Sequence, residues 1–184
     1  GEVNRAAAAF DLDKLKWLNQ HYIKEADADR LGALLAAGLE ARGVEIASGP
    51  ALRSVADALR ERAQTIDELI DKSLYFYSDF DEYDEGAAKK HLRPVAAGLM
   101  SDIRERFEAL SGWQAQTIHD ALQACVEAND SKLGKIAQPL RVAVSGTAAT
   151  PPIDITLELV GKERTLERID SAIGFIAARA EQGA

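Results

Sequence analysis

With 184 residues, 47% of them apolar, the chain can bury cores for one domain or two small ones, and 5 prolines and 13 glycines are too few for a disordered chain. A single cysteine excludes an internal disulfide and a thiolate zinc cluster, and no stretch approaches the ~20 apolar residues of a membrane span. The net charge of −8 argues on its face against a nucleic-acid partner, but residues 1–130 carry 15 Lys/Arg against 24 Asp/Glu while residues 131–184 carry 7 against 6, which leaves room for a locally basic face and a salt-sensitive contact.

GEVNRAAAAF, at the start, is too short and too weakly apolar for a signal peptide, so a soluble cytoplasmic protein is expected. Phe10 to Lys24 predicts an amphipathic helix capped by Asp11, with Leu12, Leu15, Leu18, Tyr22 and Ile23 at helical spacing. Lys14, Lys16 and Lys24 make its other side basic, which suits phosphate contact and equally a solvated face. Asp27 to Arg42 predicts a second helix on Leu31, Leu34, Leu35 and Leu39, stopped by Gly43. Pro50 to Arg62 predicts a third, with Arg60 and Arg62 where the helix dipole favours cations. Thr65 and Glu68 form a capping box for a fourth helix running to Tyr77.

Tyr75, Phe76, Tyr77, Phe80 and Tyr83 then alternate with Asp79, Asp81, Glu82, Asp84 and Glu85. Aromatics can stack bases, but the carboxylates around them repel phosphate, so the segment reads as an aromatic hinge. The acids lack metal-ligand spacing, and no metal is expected. Glu85 to Leu92 predicts a short helix carrying Lys89, Lys90 and His91. Arg93-Pro94 breaks it and starts the next, which runs to Leu110 on Val95, Leu99, Ile103 and Phe107. KKHLR is the densest basic spot in the chain; it suits RNA backbone contact or ordinary helix-end charge. Gln114 to Asn129 predicts another helix, in which Cys125 reads as a small buried hydrophobe and His119 as a structural imidazole.

In KIAQPLRVAVSGTAATPPIDITLELVGKER, Pro139 is expected in the first turn of a short helix, with Gly146 as its left-handed cap. Thr147 to Thr150 is small and flexible, and Pro151-Pro152 gives the loop a stiff exit into an apolar segment, Ile153 to Val160, stopped by Gly161. Arg141 stands just upstream of that loop. It fits a solvated surface position, or a site for a flat polar ligand that a guanidinium can stack on and hydrogen-bond. A last helix is predicted from Glu163 to Arg179. No phosphate-binding glycine loop and no paired histidine or nucleophile motif occurs.

PLRVAVSG, TPPIDITLEL and GKERTLERI resemble the C-terminal region of bacterial glutamyl-tRNA synthetases, and so do FDLDKLKWLNQHYI at 10–23, RERAQTIDEL at 60–69, YFYSDFDEYD at 75–84 and AAKKHLRPVA at 87–96, in family order and closest to gammaproteobacterial members. The resemblance implies an all-α fold of about ten helices in two consecutive helical subdomains, 1–84 linking to a catalytic half and 85–184 binding the anticodon. It implies a portion of a larger glutamate–tRNA ligase that binds glutamate tRNA without itself holding the ATP, magnesium and glutamate sites; the parent enzyme is expected to be a monomer, with no DNA or membrane partner. By the resemblance Arg62 and Arg141 meet anticodon bases, Thr150, Pro151 and Ile153 line the Arg141 pocket, and Lys89, Lys90 and Arg93 contact the RNA backbone. Pro152, where many members have glycine, and the charge of Asp154 depart from the family pattern. A helical protein-interaction scaffold without an RNA role is the alternative.

Overall fold

Three helix starts in this chain are set by short polar side chains that serve the free N–H groups of a first turn. Asp27 accepts from the Asp29 and Arg30 amides at 3.0 and 3.1 Å, Thr65 from Glu68 at 3.1 Å, and Asp84 from Ala87 at 2.7 Å. The computed structural model describes residues 12–182; the Asp11 cap expected from the sequence lies outside them. Ten α-helices follow: α1 Leu12–Glu25, α2 Ala28–Ala41, α3 Leu52–Leu59, α4 Ile66–Tyr77, α5 Glu85–His91, α6 Pro94–Ala109, α7 Ala115–Ala128, α8 Leu133–Ser145, α9 Ile153–Val160 and α10 Lys162–Gln182. A 3₁₀ turn, Arg60–Arg62, extends α3, and no strand occurs among the described residues. None of these helices is long and apolar enough to cross a membrane.

The apolar stripes close two cores. Leu31, Leu35, Leu39, Val55, Leu59, Leu69 and Phe76 fill the first, into which Val160 of α9 also reaches. Met100, Ile103, Phe107, Ile118, Leu122, Leu140, Leu157 and Ile169 fill the second. Burial of such side chains, at about 25 cal/mol per Å² of apolar surface, is the main force holding each unit together.

Arg168 of α10 joins the two. It is 7% exposed and donates to the carbonyls of Tyr75 (2.8 Å), Ser78 (3.0 Å) and Val144 (2.6 Å) and to Asp79 (2.9 Å). One helical turn earlier Arg164 donates to the Phe76 carbonyl at 2.8 Å. The two guanidinium groups thus serve the carbonyl end of α4, where the helix dipole favours cations. Phe80 lies 5.0 Å beneath the Arg168 guanidinium, and Tyr83 packs edge-on against Phe175.

Several local expectations change in the folded chain. Pro139 sits in the middle of α8, not in its first turn. An interior proline removes one backbone bond and costs about 3 kcal/mol, but Ile136, Ala137, Pro139 and Leu140 are all buried and packing outweighs the lost bond. The carbonyl left without a donor belongs to Lys135, an exposed residue that water can serve. Glu68 accepts from the Gln64 amide at 2.7 Å rather than from that of Thr65, and its other carboxylate oxygen accepts from Lys72. Val95 is 77% exposed, since Ala96, Met100, Ile103 and Phe107 form the buried stripe of α6. Leu15, Leu18 and Tyr22 of α1, expected on a core-facing stripe, are also exposed, and of that stripe Ile23 is buried.

Candidate nucleic-acid interface

α8 ends where Gly146 takes φ +76°, the left-handed conformation that glycine adopts without penalty. The chain then doubles back through 147–152 to start α9. Ser145 ties the corner down: its hydroxyl donates to the Arg141 carbonyl at 2.8 Å and accepts from the Thr147 amide at 3.2 Å. The corner faces the C-terminal half of α4 and the 3₁₀ turn, leaving a groove of about 700 Å³. Arg62, Lys72, Tyr75, Phe80, Thr147 and Ala149 are among its lining residues.

The groove has flat apolar surface from Tyr75 and Phe80 and acids on its rim, yet those acids are engaged. Glu61 pairs with Lys24 at 2.8 Å, Glu68 with Lys72, Asp71 with Arg42, and Asp79 with Arg168 at 2.9 Å. Lys72 also donates to the Arg62 carbonyl, which fixes the backbone of the 3₁₀ turn. Arg62 itself is exposed.

Arg141 is half-buried, and its Nε donates to the Thr150 hydroxyl at 3.2 Å. Burial depresses its pKa first, and the positive charge of Arg62 adds to the depression, while Asp154 opposes it. Arg62 and Arg141, 79 positions apart in sequence, therefore lie close enough to feel one another's charge. A guanidinium offers five donors in a planar fork, so the pair can address carbonyl and ring-nitrogen acceptors on an unstacked base while a ring stacks beside them.

Of Thr150, Pro151 and Ile153, Thr150 is brought against Arg141 by the Nε hydrogen bond. Thr150 is 3% and Ile153 6% exposed, and Pro151 is buried as well. The Thr150 hydroxyl, besides accepting from Arg141, donates to the Pro151 carbonyl at 2.8 Å, and Thr156 donates to the same carbonyl at 3.2 Å. In this structure these residues hold the loop in shape, and the exposed parts of the corner are Thr147, Ala149 and Pro152. Asp154 is near both Arg141 and His119, whose Nδ1 lies 3.5 Å from its carboxylate.

Lys89, Lys90 and Arg93 lie apart from this groove, all exposed, at the corner between α5 and α6. The structure brings Lys132 and Lys135, at the start of α8, to the same side as Lys90 and Arg93. Sequence reading missed these two lysines. The charge-balanced segment 131–184 was the available signal, but nothing local ties it to a corner some 40 residues earlier. Arg164 and Arg168 were missed as well, because their acceptors are carbonyls of a distant helix. No group of three or more potential metal-ligating side chains occurs among the described residues.

Residues 13–173 match the family described as the anticodon binding domain. Among solved structures, the chain is similar to a glutamate tRNA ligase from Elizabethkingia meningosepticum in complex with its amino acid, at 28% identity and a TM-score of 0.81, over 91% of this chain and 33% of that one. It is also similar to the glutamate-tRNA synthetase of Elizabethkingia anophelis, at 28% identity and a TM-score of 0.77, over 90% of this chain and 32% of that one. The chain thus spans about a third of the length of these enzymes.

Proposed function

Since the chain belongs to the anticodon binding domain family, we propose that it serves as the tRNA-gripping portion of a glutamate–tRNA ligase and reads the anticodon loop of glutamate tRNA. The observation that carries this reading is a groove lined by Arg62, Tyr75, Phe80, Thr147 and Ala149 whose acids are already paired, with Arg141 held by Thr150 of the loop that forms one side. The Arg62 guanidinium lines the groove with Tyr75 and Phe80, and the Arg141 fork has donors to spare; such groups suit bases that offer both a flat face and a hydrogen-bonding edge. The Thr150 hydroxyl orients Arg141, and on this reading Pro151 and Ile153 complete the pocket. Activation of glutamate by ATP and magnesium would belong to other parts of such an enzyme, since the chain spans about a third of the length of the glutamate–tRNA ligases it resembles.

The test is binding of this chain to glutamate tRNA and to the same tRNA with an altered anticodon, at low and at moderate salt. The expected outcome is tighter binding of the matched tRNA, by a factor of about ten or more, since one well-placed base contact is worth about 1–3 kcal/mol. Equal binding of both would reject base reading by this groove.

A helical protein-interaction module is the second reading, and the exposed face of α1, with Trp17 at 65% and Tyr22 at 63%, favours it. Salt separates the two: a phosphate-dominated contact weakens steeply with added salt, and an apolar interface hardly responds.

A further inference from the structure

Among the acids of the Arg62 groove, Glu68 does more than pair with a cation. Its Oε2 accepts from the Gln64 amide at 2.7 Å, and its Oε1 accepts from the Lys72 ammonium. The same ammonium donates to the Arg62 carbonyl, 10 positions earlier in the chain. A carbonyl at the end of a 3₁₀ turn has no donor within the turn, so a side chain of α4 serves it instead. Thr65 accepts from the Glu68 amide at 3.1 Å. Arg62, Gln64 and Thr65 are thus each bonded to Glu68 or Lys72, and the 3₁₀ turn is braced against the first two turns of α4.

The Arg62 side chain has no such ties. Among the described residues its guanidinium forms no hydrogen bond or ion pair, and it lines the groove from an exposed position. Leu59 and Ala63, to either side, are buried. The direction in which Arg62 leaves the surface is therefore set by its backbone, and a backbone already fixed lowers the ordering cost of a contact made through a long side chain. An exposed Glu–Lys pair one turn apart contributes little to stability by itself. A carboxylate in a groove for RNA also repels phosphate. Here the carboxylate is kept in its charged form: the bond from Lys72, then that from the Gln64 amide, hold Glu68 below its ordinary value against the effects of burial and of Asp71.

We propose that Glu68 and Lys72 are positioning residues for RNA binding, which together hold the 3₁₀ turn so that Arg62 projects into the groove in the orientation that meets RNA. The proposal rests on the preceding reading for the identity of the partner, and adds that an acid in this groove strengthens the binding of a polyanion. Lys72 acts through the Arg62 carbonyl, because its own charge is spent on Glu68. In Glu68→Gln the new side chain can still accept from the Gln64 amide but no longer holds the ammonium, which is then free to leave the carbonyl for water.

The experiment measures binding of glutamate tRNA and of the anticodon-altered tRNA to the unaltered chain, to Glu68→Gln, to Arg62→Ala and to the double variant, at one moderate salt concentration. Loss of a carboxylate that acted by its charge alone would tighten both tRNAs. The expected result is the opposite: matched tRNA binds Glu68→Gln about fivefold less tightly, and the same substitution changes affinity little in the Arg62→Ala background. Amide exchange over residues 62–65 is expected to quicken in Glu68→Gln while that of α7 and α8 stays as it was, which shows the fold intact. Lys72→Met should weaken matched tRNA as well, and Lys72→Arg, which keeps a charged donor, should retain most of the affinity. Unchanged or tighter binding by Glu68→Gln overturns the proposal, as does an equal loss in both Arg62 backgrounds or unaltered exchange over 62–65. If the unaltered chain binds both tRNAs equally and Glu68→Gln weakens both through Arg62, the brace stands and base reading falls. If the unaltered chain binds neither tRNA at low salt, both fall.

Discussion

Arg141 donates from Nε to the Thr150 hydroxyl at 3.2 Å, so the guanidinium is oriented by the loop that follows its own helix. Among the described residues that is its one hydrogen bond, and the rest of the fork has donors to offer a ligand. Arg141→Ala is expected to weaken binding of the matched tRNA by about 1–3 kcal/mol and that of the anticodon-altered tRNA much less. Arg141→Lys should not restore it, because an ammonium lacks the planar fork. Arg62→Ala is expected to act in the same direction, and a double-mutant cycle should show coupling between the two, since each sits in the other's field. Titration of both tRNAs with the three variants and the double mutant measures all of this.

Arg168→Ala is expected to destabilise the chain by about 3 kcal/mol or more. The substitution strands the carbonyls of Tyr75, Ser78 and Val144, and an acceptor left without a partner in a buried site costs about 1–3 kcal/mol. Arg164→Ala removes one such bond, to Phe76, and should cost about 1 kcal/mol. Urea unfolding of both variants, with the midpoints compared, ranks them.

Acid should loosen this same junction. The hydrogen bond from Arg168 holds the Asp79 carboxyl below its ordinary value of 3.8, with the charges of Arg168 and Arg164 helping against a smaller effect of burial. A carboxyl whose pKa is lower folded than unfolded adds stability that is fully present above the unfolded value. That stability is lost as pH falls from about 4 through the folded value. The expected outcome is that Asp79→Asn lowers stability at pH 7 and flattens its fall as pH drops below about 4. Because Asp79 is largely exposed, solvent screening keeps the effect small. Thermal melts across that pH range are the check.

Gly146→Ala should cost about 1–2 kcal/mol. The residue has φ +76°, which a residue with a side chain rarely adopts, while a Cβ there would meet the Glu82 carbonyl oxygen and the Phe80 ring at ordinary contact distance, 3.4 Å. The Asp84 amide donates to the Gly146 carbonyl at 2.8 Å, so a shift there would disturb the aromatic segment and the groove together. Lower stability accompanied by weaker binding of matched tRNA is the expected pair of results.

Cys125 should be inert. Burial first, then its bond to Asp102 at 3.1 Å and the carboxylate's charge, push the thiol up to about 12. The thiolate is the reactive form, so a disulfide reagent at pH 8 should modify the native chain far more slowly than the urea-unfolded one.

Much of the helical framework was legible because its signals are local. The Thr65 cap, the Arg93-Pro94 start, the Gly146 stop and, apart from the exposed Leu34, the stripe of Leu31, Leu35 and Leu39 each depend on residues within one or two turns, and the periodicity of α2, α4, α7 and α10 is carried by their own side chains. Family wording, held in blocks spread along the chain, pointed to Arg62 and Arg141 separately. That these two feel each other's charge, that Thr150 is spent on Arg141 and Pro151, that α8 runs through Pro139, and that Lys132 and Lys135 come beside Lys90 and Arg93 depended on packing between elements. A hydrogen bond or apolar contact inside a helix is set by the spacing of a few residues. The nearness of two charges 40 or 80 positions apart is set by which faces the two cores bury, and that is a property of the whole assembly of helices.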